Sequence, residues 1–284
     1  MSFGNAPTVR QRRIGSALRK AREHHKLTVG TAASRFGRSQ GWLSMVENGL
    51  HPIAPEELGA LLNFYDIADG PLRESLLHLA THKPGKWVRA FEYRISAAAL
   101  DLASLEEDAA MIRTFQPNII PGLLQIPAYT WKLMAVGPAK NSHTARMLVN
   151  FRMSRQQVLS RPDPPRYVPI IAETVLGNQV GGDPVILRAQ IRRLAEVARL
   201  ENVDLRILPS TSSEYLSLIT PCHLISLRPP GRLTVTVGDQ WDKSIFVENE
   251  DEVASHEEIF DLLLSATLNR TASMELIDEI ASQP

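Results

Sequence analysis

Thr28–Gly49, TVGTAASRFGRSQGWLSMVENG, decides the fold of the front of this chain. It divides into two short helical segments at Gly37. Thr28 is a good N-cap, and Ala32, Ala33 and Phe36 fall on one helical face behind it. Gly37 closes the first segment in a left-handed conformation that costs a glycine little. Ser39 caps the second segment, Leu43 and Val46 point inward three residues apart, and Gly49 stands where a C-terminal cap belongs. Two short helices with a tight turn between them make a helix-turn-helix, the unit that lays its second helix in a DNA major groove.

The flanks complete a small helical domain. Upstream, Ile14, Leu18, Ala21 and Leu27 give one apolar helical face. Downstream, Leu58, Leu61, Leu62 and Tyr65 give another, opened by Pro55 in its first turn. The same two-helix rhythm also occurs in hairpins that touch no nucleic acid, and charge separates the two readings. The whole chain is formally neutral, yet residues 1–55 carry nine Lys and Arg against two acids, leaving +7 there and −7 on the remainder. A basic front on an acidic body is the electrostatic footprint expected of a DNA reader.

On these residues the chain resembles the Xre-type (lambda-repressor-like) helix-turn-helix family, over roughly residues 10–67. Glu47-Asn48-Gly49 after Trp42-Leu43-Ser44-Met45-Val46 carries most of the likeness. The resemblance implies that Arg22 of the first helix holds Glu47. It implies that Gln40, Gly41, Ser44 and Met45 face DNA, with Val29 at the start of the preceding helix. Gln40 has the chemistry to pair bidentately with adenine, and Met45 offers apolar contact to a thymine methyl. Gly41 and Trp42 depart from the polar residues usual in the family, so Trp42 is left to pack on the sugar-phosphate wall or on a neighbouring helix. Arg35, Arg38 and Ser39 are expected at phosphates, which position a protein without specifying sequence.

The length allows about two domains. A boundary falls at 81–90, around Pro84-Gly85, dividing a helix-turn-helix domain at 1–80 from an α+β domain at 91–284. The spacing of Ala98, Leu102, Leu105, Ala109 and Ile112 predicts one helix from Ser96 to Arg113. Helices are expected at about 127–135, 143–160, 184–200, 252–268 and 272–281. Strands are expected at 167–172, 203–208, 220–227, 233–237 and 244–247. The alternation predicts an α+β fold.

Pro121-Gly122-Leu123-Leu124-Gln125 with Tyr129, then Arg155-Gln156, Arg161-Pro162-Asp163-Pro164-Pro165, Glu173-Thr174-Val175-Leu176 and Gln190–Leu194 follow in order. This string resembles a domain of unknown function found behind Xre-type heads in actinobacterial regulators. The resemblance implies an antitoxin-like regulator, often encoded beside a very small protein partner. Pro121–Gln125 reads either as a structural turn or as a ligand or partner surface, with Gln125, Tyr129, Arg155 and Glu173 as candidate polar contacts.

No catalytic signature is present. There is no Walker loop and no GxSxG, and Gly177–Gly182 lacks the dinucleotide spacing. His256-Glu257-Glu258 starts like HExxH, but Phe260 stands where the second histidine belongs. His78 and His82 share a helical spacing without a third ligand nearby, and the single cysteine, Cys222, excludes an internal disulfide. The expectation is a cytoplasmic protein with no enzyme activity, no cofactor, no metal and no membrane span. It would bind double-stranded DNA as a homodimer, with its second domain sensing a ligand or a small partner. The alternative is an antitoxin-type module that sequesters that partner and uses DNA binding for autoregulation.

Overall fold

A computed structural model describes residues 6–136, 142–179, 182–212, 220–231, 233–239 and 244–283. The chain forms two compact units, Met1–Ser104 with Leu227–Leu233, and Leu105–Ser226 with Thr234–Pro284.

In the first unit, α1 (Val9–His24), α2 (Val29–Phe36), α3 (Gln40–Glu47), α4 (Pro55–Phe64) and α5 (Pro71–Thr81) bury one apolar centre. Ile14, Leu18, Ala32, Ala33, Leu43, Val46, Leu58, Leu61, Leu62, Leu76 and Leu79 are all buried. These are the positions the helical periodicity marks, because only one face of each short helix can be removed from water. A short helix α6 (Lys86–Arg89) lies within 81–90, and its Val88 is buried. The N-terminus of α1 is closed twice. Thr8 and Gln11 form a reciprocal capping box. Asp101, on α7 (Ala97–Glu107), accepts the Val9 N–H at 2.8 Å through Oδ2. Burial pushes the Asp101 carboxyl above its usual range, and the bond to Val9 opposes that shift.

The second unit is built on a six-stranded sheet: β1 (Ala109–Gln116), β2 (Arg166–Ala172), β3 (Arg206–Leu208), β4 (Cys222–Leu227), β5 (Thr234–Asp239) and β6 (Ser244–Val247), in the order β3-β2-β1-β4-β5-β6. β1, β2 and β3 pair in parallel, with Ile112 opposite Tyr167 and Phe115 opposite Ile170. Parallel neighbours need long crossovers. α8 (Pro127–Val136) and α9 (Ser142–Gln156) supply the first, and α10 (Pro184–Ala198) the second. β4, β5 and β6 form an antiparallel meander. On one face Phe115, Val168, Ile170, Leu208, Cys222 and Leu224 pack with Phe260 and Leu263 of α11 (Glu250–Ala266). The outer edge of β3 is closed by backbone and hydroxyl groups leading into α12 (Arg270–Ser282). The Leu268 N–H donates to the Ile207 carbonyl at 2.8 Å, and the Ile207 N–H to Ser273 Oγ at 3.1 Å.

The α+β class read from the sequence is the observed one. One predicted element is wrong. The helix expected from Ser96 to Arg113 stops at Glu107, and Ala109–Gln116 is the strand β1. Ala109 and Ile112 continue the helical spacing of α7, so periodicity alone does not mark where the helix gives way to the strand. The other departures are small. α9 ends at Gln156 and passes into a 3-10 turn at Gln157–Leu159. β3 is short, with Val203 touching Tyr167 as an isolated bridge before it.

Candidate nucleic-acid interface

The turn between α2 and α3 is fixed by its own residues. The Thr31 N–H donates to Thr28 Oγ1 and the Trp42 N–H to Ser39 Oγ, both at 3.1 Å. Gly37 takes φ 80° and ψ 27°, the left-handed region in which a side chain is strained. α3 is then drawn against α1 at a glycine. A Cβ on Gly15 would lie 2.5 Å from the Glu47 carbonyl oxygen, so the two backbones meet only because Gly15 has no side chain.

The pairing implied for Arg22 and Glu47 is present. Arg22 Nε reaches Glu47 Oε1 at 2.7 Å, and Nη2 reaches Oε2 at 3.0 Å. Both side chains are buried. Arg22 Nη1 also donates to the Leu27 carbonyl at 2.7 Å, tying α1 to the entry of α2 as well as to the end of α3. The hydrogen bonds to Glu47 hold the Arg22 guanidinium above its ordinary value. Arg19 supports the same end of α3, donating to Asn48 Oδ1 at 2.6 Å.

With its inner face fixed, α3 turns Gln40, Gly41 and Met45 outward, all exposed, and leaves Ser44 half-buried. Val29 is half-buried at the start of α2, and Arg35 and Ser39 are exposed. The expected DNA-facing set therefore lies along one short helix and the first turn of its neighbour. Trp42 packs on the protein itself: its ring lies nearly parallel to Phe36, centroids 6.3 Å apart, and Phe36 meets Phe64 at 5.7 Å. Arg38 is engaged within the domain. Its Nε donates to Glu57 Oε1 at 2.8 Å, and its guanidinium carbon sits 5.2 Å from the Trp42 ring centroid. Its side chain is still about half-exposed, so a phosphate would share or compete with Glu57 for the guanidinium. Glu57 was invisible as a partner in the sequence, where it reads only as an acid favouring the N-terminus of α4.

The second-unit candidates are scattered. Gln125 is buried, donating to the Ile120 carbonyl at 2.6 Å and accepting from Thr130 Oγ1 at 2.9 Å and Arg152 Nη1 at 2.7 Å. The Tyr129 hydroxyl accepts the Ile120 N–H at 3.2 Å, and burial raises its pKa. Both therefore brace the Pro121–Gln125 turn. Arg155 is paired with Glu106, Nε to Oε2 at 2.8 Å and Nη2 to Oε1 at 2.7 Å. Glu173 accepts the Ser210 N–H at 2.7 Å. Gln125 and Tyr129 belong to one network, while Arg155 and Glu173 belong to others. Among the described residues no cluster of three or more His, Cys, Asp or Glu is placed to hold a metal ion. Among them, too, no helix is long and apolar enough to cross a membrane.

Residues 99–279 match the family described as Domain of unknown function (DUF5753). The chain belongs to that family. In front of the DUF5753 region, residues 13–76 match the family described as Helix-turn-helix domain, which spans α1 to α5 and makes this a DNA-binding regulator in outline. No curated protein and no solved structure matched the chain.

Proposed function

We propose that this DUF5753 protein is a sequence-specific transcription regulator of Xre type. Its first unit binds double-stranded DNA through α3, as a homodimer on two half-sites about one helical turn apart. The observation that carries the reading is the outward face of Gln40, Gly41 and Met45 on a helix whose inner side is locked by the buried Arg22–Glu47 pair. A rigid helix end loses little freedom on docking. The second unit receives the signal, works in the cytoplasm and carries no catalytic step. Gln125, Tyr129 and Arg155 are engaged inside that fold, which favours an outward surface for a small protein partner over an interior ligand site. Sequestration of that partner, with DNA binding for autoregulation, is the antitoxin-type form of the same proposal.

Anisotropy titrations of labelled duplexes at several salt concentrations test the DNA reading. Affinity is expected to fall steeply with salt and to differ among sequences. Arg35→Ala is expected to weaken all duplexes alike, and Gln40→Ala to relax preference at one base pair. Affinity independent of both salt and sequence overturns the reading. Co-purification with the product of the neighbouring gene tests the partner.

A further inference from the structure

Glycine at position 30 has no reason inside the backbone. Gly37 and Gly49 adopt φ 80° and 70°, and Gly15 faces a carbonyl that a Cβ would strike. Gly30 does none of this. It is the second residue of α2, and it is not among the glycines of positive φ. In a helix, glycine is less favourable than alanine by about 0.5–1 kcal/mol, less in the first turn than deeper. Local preference alone would place alanine there.

The nearest atoms explain the exception. A Cβ on Gly30 would stand 3.2 Å from Oε1 and 3.7 Å from Cδ of Gln40, and no other group comes within 4 Å. Both atoms belong to the carboxamide tip of the exposed first residue of α3. The bare first turn of α2 is therefore a seat for that carboxamide. Its neighbour Gly41 has open space around it, with nothing within 4 Å of a Cβ placed there. The carboxamide tip thus lies against the bare first turn of α2, and Gly41 next to Gln40 adds no side chain of its own.

From this we infer that Gly30 is a positioning residue for base readout, acting through Gln40. A bidentate amide–base pair needs the carboxamide plane in one orientation, with its oxygen and nitrogen both presented. A free glutamine samples many rotamers and loses that freedom on binding. A methyl group at position 30 displaces the tip by a few tenths of an ångström or swings it off the seat. It touches no backbone, so the fold has no reason to object. The inference rests on the DNA-binding reading and adds to it a residue that touches no base.

A double-mutant cycle tests it. The intact protein, Gly30→Ala, Gln40→Ala and the double variant are each used to select duplexes from a randomised library. Affinities are then measured for the preferred site and its single-base variants at one salt concentration, beside thermal unfolding of each protein. The intact protein is expected to prefer one base pair opposite Gln40 by about tenfold or more. Gly30→Ala is expected to erode that preference several-fold, to leave the other positions unchanged, and to unfold at the same temperature or higher. In the Gln40→Ala background the Gly30→Ala change is expected to do nothing. Equal effects in both backgrounds, a uniform loss at all positions, no change in preference, or a lowered unfolding temperature each overturn the inference. If the intact protein selects no sequence at all, the DNA-binding reading fails and this inference falls with it. If the intact protein selects and the cycle is additive, only the role of Gly30 is lost.

Discussion

Arg22 with Glu47 in the first unit and Arg155 with Glu106 in the second form two buried ion pairs of nearly the same geometry. In each, Nε and Nη2 of the arginine meet the two oxygens of one carboxylate, at 2.7 and 3.0 Å in the first and 2.8 and 2.7 Å in the second. Their surroundings differ. Glu47 has a second cation, Arg19, with Nε 3.6 Å from Oε2, and Arg22 has the Leu27 carbonyl and the largely exposed Glu23 beside it. The first pair is thus the centre of a small network at the end of α3. The second pair joins α7 to α9. A buried pair is weak evidence for net stability, because desolvation offsets most of the attraction. Breaking it strands a charge. The cost of breakage then depends on what else the stranded partner can reach.

The unit in which each pair sits decides where the damage should appear. Glu106→Ala is expected to cost the second unit about 3–5 kcal/mol. Hydrogen exchange is the measurement, since two units need not unfold together. Amides of α9 and of β1 and β2 should lose protection while those of α1 to α4 keep theirs. Equal loss in both units would break the view that each pair serves its own unit. Glu47→Ala should sit at the lower end, about 3 kcal/mol, because Arg22 keeps the Leu27 carbonyl. Its loss of protection should fall on α1 and α3, and DNA affinity should drop for all sequences together. If Glu47→Ala costs more than about 5 kcal/mol, the supporting contacts of Arg22 are not compensating. Ser39→Ala removes a neutral cap bond and is expected to cost about 1 kcal/mol, seen as a small shift of the first unit's denaturant midpoint.

The two pairs also differ in how legible they were. Glu47 sits in the motif that carries the family resemblance, and that resemblance, not local spacing, named its partner Arg22 two helices earlier. Glu106 lies in a run, LEED, that reads as the polar side of a helix. Its partner is 49 residues away, and nothing local joins them. Read alone, Arg155 looks like a polar candidate for a ligand, and burial in an ion pair is a property of the tertiary fold. β1 was missed for a related reason: Ala109 and Ile112 extend the i, i+3 spacing of α7, and the parallel partner that makes them a strand, β2, is far along the chain. Caps, the left-handed Gly37 and the Pro-led helices were legible because each acts on its own neighbours. Arg38 with Glu57, and Gly30 beneath Gln40, were not, since each joins residues that local rules treat separately.

Tyr65 gives the finest test of the first network. It is buried, and its hydroxyl has no hydrogen-bond partner among the described residues. Burial first, and then the Glu47 charge, push its pKa up to about 12 from 10.0, with Arg22 opposing. A phenol whose folded pKa is raised stabilises the fold fully below pH 10, and that contribution is lost as pH rises from about 10 through about 12. Glu47→Gln keeps most of the side chain and removes the negative charge, leaving Arg22 unbalanced beside the ring. Both changes favour tyrosinate, so the Tyr65 midpoint should move down from about 12 towards 10. Ultraviolet difference titration reads the tyrosinate directly, and subtracting the same titration of a Tyr65→Phe protein isolates this residue from the others. Glu106→Gln, acting in the other unit, should leave the Tyr65 midpoint where it was. A shift there as large as that from Glu47→Gln would mean the two clasps are coupled, and the contrast between a local network and a remote clasp would fall.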